Sequence, residues 1–180
     1  SGYSLSFLAI TFVLISSLSI VLVWYIFKTL GTSLENRNLI AILFSAIPAI
    51  NIYSAVCLDG IILASATLFL FGIVILHRFK RLSTLGLLSL LIGLTITNIL
   101  TYGGVFLVAV AGMLALKELM FDRKPVLVIS LVISLGAFSI ITVSMFSLYG
   151  YNHIQGFFTA SALENPDGFR GLAMPLEYLA

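Results

Sequence analysis

The chain has 180 residues, 61% of them hydrophobic and 9% charged, with a mean hydropathy of +1.19. Such a composition excludes an ordinary water-soluble domain and makes lipid the solvent. The net charge of +2 comes with no basic run interleaved with aromatics, and the single Cys57 allows neither an internal disulfide nor a cysteine zinc site, so nucleic-acid binding and disulfide scaffolding are excluded as well.

A helix crossing the roughly 30 Å hydrocarbon layer takes about 20 apolar residues at about 1.5 Å each. Tyr3 to Phe27, closed by Lys28, meets that length and lacks the basic start of a signal peptide, so it reads as a span. Leu39 to Leu76 is too long for one helix and just long enough for two, with a turn expected at Asn51 to Gly60. Leu82 to Met120 repeats the pattern with a turn at Thr97 to Gly104. Val126 to Leu148 is the last span, opened by Pro125, where a missing backbone N–H costs nothing. The expectation is therefore an all-α polytopic transmembrane bundle of about six helices over residues 1–149, two pairs of them short hairpins, followed by an exterior segment over 150–180.

In that segment Tyr149 and Tyr151 suit a membrane interface. Asn152 can cap a short helix whose Ile154, Phe157 and Phe158 fall on one face, and Asn165-Pro166-Asp167-Gly168 is a turn signature. The start at Ser1 without an initiator Met, and the apolar pattern that restarts at Leu172, read as a fragment or an excised core.

Charge placement orients the bundle. Lys28 and Arg37 follow the first span, Arg78, Lys80 and Arg81 separate the hairpins, and Lys117, Arg123 and Lys124 precede the last span, so eight of nine Lys+Arg share one side. The positive-inside rule makes that side cytoplasmic, and both termini of this integral, multi-pass chain then lie outside. Gly103, Gly104 and Gly112 are expected to permit close helix approach, and Trp24, Tyr25, Phe69 and Phe71 to serve packing or lipid contact.

Asp59 carries the most chemical information, as the sole acid of the Leu39 to Leu76 block, at the point where the chain re-enters the membrane. As an N-cap it would accept a backbone N–H and meet the positive end of the helix dipole. As an exterior carboxylate facing a cavity it would serve catalysis or bind a divalent cation that orients a phosphate-bearing substrate. In the tail, His153, Glu164, Asp167 and Arg170 are candidate substrate contacts; for each an interfacial or solvated structural role is the competing reading.

The stretch Leu43 to Ala64, with Pro48, Asn51 and Asp59, followed by Leu85 to Asn98 with Gly86 and Gly93, resembles the GT-C superfamily of integral-membrane glycosyltransferases. In that family a proline-bearing span leads to an exterior acid, another span, a basic cytoplasmic loop and a Gly-Leu-rich span ending in a polar exterior turn. The resemblance covers about Leu39 to Leu116 and implies a polyprenyl-phosphate-linked sugar as donor. It implies that Asp59 matches an exterior acid that helps hold a metal or the donor phosphate, and that Asn98 and Tyr102 occupy the turn near the lipid phosphate. Two departures stand out: that turn lacks Lys and Arg, and the family's principal acid, in its first exterior loop, would lie upstream of Ser1.

The resulting expectation is a module that moves sugar from a lipid-phosphate donor outside the cytoplasm, with membrane lipid and that donor as partners. A transporter or channel module, built on the two hairpins as broken helices, meets the difficulty that its spans hold almost no ionisable groups. A structural subunit of a membrane complex predicts no chemistry.

Overall fold

The computed structural model describes residues 2–47, 58–101, 104–152, 155–156 and 158–159, with side chains from Phe7 onward. The architecture is all-α. Helix α1 spans Gly2–Thr29, α2 Leu34–Ser45, α3 Asp59–Phe79, α4 Thr84–Leu100, α5 Gly104–Lys117 and α6 Val126–Tyr149. Helix α5 runs on into a π-helical turn, Glu118–Asp122. Among the described residues four helices are long and apolar enough to cross a membrane, Phe7–Thr29, Asp59–Phe79, Gly104–Asp122 and Val126–Tyr149, which is the signature of a multi-pass membrane protein.

As expected, the first and last helices, of 28 and 24 residues, are the longest, and the last follows Pro125. Helix α2, at 12 residues, starts upstream of the expected Leu39 and is too short to span alone. It begins where Ser33 accepts a hydrogen bond from the Asn36 N–H at 3.4 Å, and Pro48, which disfavours a helical residue before it, follows closely. The expected turn from Asn51 lies outside the described residues. The second turn falls later than the sequence pattern suggests: Asn98 is still helical, and the chain leaves α4 at Thr101, which is extended.

The chain divides into two compact units, Ser1–Phe138 and Ser139–Ala180. In the first, α3 and α4 are an antiparallel pair. Ser65 faces Thr97, whose hydroxyl donates to the Ser65 hydroxyl at 2.9 Å. A Cβ added at Gly72 would lie 2.5 Å from the Leu90 nitrogen, and one at Gly93 would lie 2.6 Å from the Ser65 carbonyl oxygen and against the Phe69 nitrogen. The two backbones therefore touch, the arrangement by which membrane helices gain packing energy when apolar burial cannot distinguish protein from lipid. Of the glycines expected to permit close approach, Gly104 does so against the Asn98 side chain, whereas Gly112 faces open space. The closest approaches belong to Gly72 and Gly93.

Around this pair Phe69, Ile73, Leu76, Leu90 and Leu94 join Ala111 and Ala115 of α5 and Leu127 and Leu131 of α6 in one buried cluster. Helix α1 lies beside α3 in the same direction. Tyr25 meets Phe71 edge-on at 6.4 Å between ring centres, and Lys28 and Arg37 both lie over the Trp24 ring. The aromatic stripe thus serves packing. Elsewhere α1 leaves Phe7, Ile10 and Leu14 exposed, as a lipid-facing helix does.

In the second unit the end of α6 carries exposed Ile140, Val143 and Phe146. After it Asn152 caps Gln155 as expected, accepting its N–H at 3.1 Å.

Candidate functional site

Asp59 sits at the first helical position of α3 with its side chain exposed. It is not the cap: Leu58 occupies that position without a side-chain hydrogen bond, and the Leu58 carbonyl itself accepts from Ile61 and Ile62 at 2.9 and 3.0 Å. The carboxylate is therefore not consumed by the helix end. It still gains from the positive end of the α3 dipole, which favours an anion in the first turn.

Toward the same end of α3, an apolar crevice of about 300 Å³ runs between α1, α3 and α4, lined among others by Leu18, Val21, Ile61, Ala64, Leu68 and Ile96; by helical register Asp59 stands on the other face of α3 from these residues. Its wall is almost entirely carbon. Such a slot suits a hydrocarbon chain.

Asn98 differs from expectation. It lies buried in the last turn of α4, and its amide donates to the Leu94 carbonyl at 2.8 Å. Back-bonding of this kind keeps an Asn helical and turns it away from a ligand. Asn98 and Asp59 share one end of the α3–α4 pair, since Ser65 and Thr97 pair one to two turns below. Tyr102, His153, Glu164, Asp167 and Arg170 lie outside the described residues. Among the described residues no group of three His, Cys, Asp or Glu is arranged to hold a metal.

The opposite end of the bundle holds a polar cluster that the sequence pattern does not reveal. Glu118, in the π-turn, is 2% exposed. One of its carboxylate oxygens takes both the His77 Nδ1 in close contact and the Lys80 ammonium at 2.6 Å, while Lys80 also reaches Asp122 at 2.9 Å. The second Glu118 oxygen is buried without a partner. Burial lowers the affinity of Lys80 for its proton, but hydrogen bonds and charge from Glu118 and Asp122 outweigh it and hold the ammonium above its ordinary range. Lys80 also closes α3 in the left-handed conformation, at φ 51°. Glycine is the usual residue there, and the ion pairs explain why a lysine stands in its place.

The signal that could have found Glu118 is that it is the single acid of the Leu82 to Met120 block, a feature that marks function or pairing in a membrane. Its partners carry no such signal, being 41 and 38 residues away in sequence.

The chain matches no protein-family model, no curated protein and no solved structure.

Proposed function

We propose that the chain is the membrane module of a GT-C-type glycosyltransferase that takes sugar from a polyprenyl-phosphate donor at the Asp59 end. The observation that carries this reading is the exposed carboxylate of Asp59 at the end of α3 toward which the apolar crevice lies. In the proposed step an acceptor hydroxyl attacks the anomeric carbon, the bond from that carbon to the lipid phosphate breaks, and the phosphate leaves with the electron pair. Asp59 takes the hydroxyl proton as general base, while the polyprenyl chain lies in the crevice and fixes the donor.

The test is transfer from a lipid-phosphate sugar by the full-length protein in membranes. Asp59→Asn keeps the size of the side chain and removes its basicity, so turnover should fall by about 10²–10⁴-fold, the range of general base catalysis, with little change in thermal stability. Full activity in Asp59→Asn would leave the module without a base and would favour a structural subunit. A second variant, Ala64→Trp, fills the crevice and should raise KM for the long-chain donor more than for a short-chain analogue.

The proposed orientation puts the Asp59 end outside and the Lys80 end in the cytoplasm, supported by the shared end of the basic residues. Cysteines at Ser83 and at Ser161, in a Cys57→Ser background, should label from opposite sides with an impermeant maleimide. Labelling of both from one side overturns the orientation.

One observation favours a transporter: Glu118 is a buried acid within a candidate span, beside a histidine and in a π-turn, a geometry found at proton-handling sites. Its pairing with Lys80, however, ties α3 to the end of α5. Proton uptake coupled to solute flux in proteoliposomes, lost in Glu118→Gln, would decide for transport.

A further inference from the structure

The π-turn divides its residues by chemistry. Glu118 and Asp122 turn to Lys80 and His77, while Met120 and Phe121 between them stand 73% and 77% exposed. Lys117, Arg123 and Lys124, which flank the turn, are exposed and make no ion pair among the described residues. The corner is fixed by its backbone: the N–H groups of Arg123 and Lys124 both donate to the Glu118 carbonyl, and Arg123 takes the left-handed conformation at φ 53° before Pro125 leads into α6. The result is a held turn with an apolar tip and three flanking cations, of which Lys124 feels the charge of Asp122 without pairing with it.

By contrast, the other basic residues at that end of α1 and α2 are engaged. Lys28 lies over both Trp24 and Tyr25, and Arg37 lies over Trp24 while its guanidinium donates to the Ser33 carbonyl at 3.3 Å. Arg78 and Arg81 at the end of α3 are exposed as well, Arg81 lying over the Phe79 ring, and the α5–α6 corner adds three exposed cations of its own.

We propose that this corner is a binding site for an anionic phospholipid, with Lys117, Arg123 and Lys124 on the phosphate and Met120 and Phe121 seated among the acyl chains. Charge complementarity selects the headgroup, and the exposed apolar tip selects a membrane-resident ligand over a soluble anion. Such a lipid would fix the depth of α5 and α6 at that bilayer face. The site is at the opposite end from Asp59 and stands independently of the transferase reading.

The experiment uses the full chain in detergent, with native mass spectrometry of adducts formed with phosphatidylglycerol, phosphatidylcholine and inorganic phosphate. Phosphatidylglycerol should be retained in preference to phosphatidylcholine, and inorganic phosphate should give no adduct at equal concentration. Each basic residue removed should weaken retention about fivefold, so Arg123→Gln/Lys124→Gln should weaken it about thirtyfold, whereas Lys28→Gln/Arg37→Gln, with the same loss of net charge, should leave it unchanged. Phe121→Ser keeps every charge and should also weaken retention, which keeps the proposal open to refutation if the double variant fails to fold. Equal retention of the two lipids overturns the proposal, as do equal losses in the two double variants or an unaltered Phe121→Ser. A phosphate adduct as strong as the lipid's would assign the corner to soluble anions instead.

Discussion

Gly93→Ala should lower the thermal unfolding temperature of the protein in detergent markedly, and Gly93→Leu should prevent α3 and α4 from closing. The added Cβ at residue 93 meets the Phe69 nitrogen and lies 2.6 Å from the Ser65 oxygen and 2.7 Å from the Phe69 Cα. Those atoms belong to the helical backbone of α3 and cannot rotate away as a side chain would. Relief requires the helices to separate, which breaks the buried Thr97–Ser65 hydrogen bond and loosens Phe69, Leu90 and Leu94 in the cluster. Overpacking of this kind costs about 1–3 kcal/mol for one methyl group, and a leucine multiplies it. The matched control is Gly112→Ala, where the added methyl meets nothing within 4 Å. It should be neutral or stabilising by up to about 1 kcal/mol through helix propensity. Melting curves by circular dichroism decide the matter: equal melts for the two alanine variants would mean that α3 and α4 do not touch at Gly93.

The same pair of residues illustrates how far sequence reading reaches in such a chain. Helix α6 was legible almost to its ends, because a long apolar run bounded by Pro125 admits few alternatives. The break after α4 was legible from Asn98, Thr101 and Gly103–Gly104, although the Asn98 amide, by bonding to Leu94, keeps the helix going one turn further than its polarity implies. Which glycine meets a helix and which meets lipid was not legible from an apolar run alone, since Gly93 and Gly112 have equally oily neighbours. One signal was available: Ser65 and Gly72, and Gly86 and Gly93, each stand seven residues apart, two turns on one helix face, so each helix carries a small-residue stripe. At the candidate site, Asp59 was found from its isolation, but its helix-capping role was not borne out, because the helix starts on the Leu58 carbonyl instead. The apolar crevice depends on how α1 lies against α3, a relation between helices some forty residues apart that no local pattern encodes.

Lys80→Met should destabilise the protein more than Glu118→Gln does, although both remove one member of the same pair. With methionine at position 80, Glu118 keeps its charge at 2% exposure and retains His77 alone, with one oxygen already unpartnered. Leaving a buried charge uncompensated costs about 3–5 kcal/mol. Methionine also gains nothing from the left-handed backbone at φ 51°, which for a non-glycine residue costs roughly 1 kcal/mol and is offset in the native chain by the Glu118 and Asp122 contacts. Glu118→Gln removes the buried charge itself, and the Lys80 ammonium, which is partly exposed, keeps Asp122, so the loss should be nearer 1–2 kcal/mol, about that of a charged hydrogen bond. The pH dependence separates this account from a simple packing defect. Lys80→Met has no ammonium to deprotonate, so its deficit against the native protein should be full up to the ordinary lysine range and shrink in alkali. In the native protein the raised Lys80 proton affinity contributes stability that is complete below the ordinary lysine range and is lost as pH rises through the folded-state value above 10.5. Lys80→Arg, which keeps the charge, should recover part of the loss. A Lys80→Met deficit that is the same at every pH, or no larger than that of Glu118→Gln, would show that the cluster holds α3 to α5 by shape and not by charge.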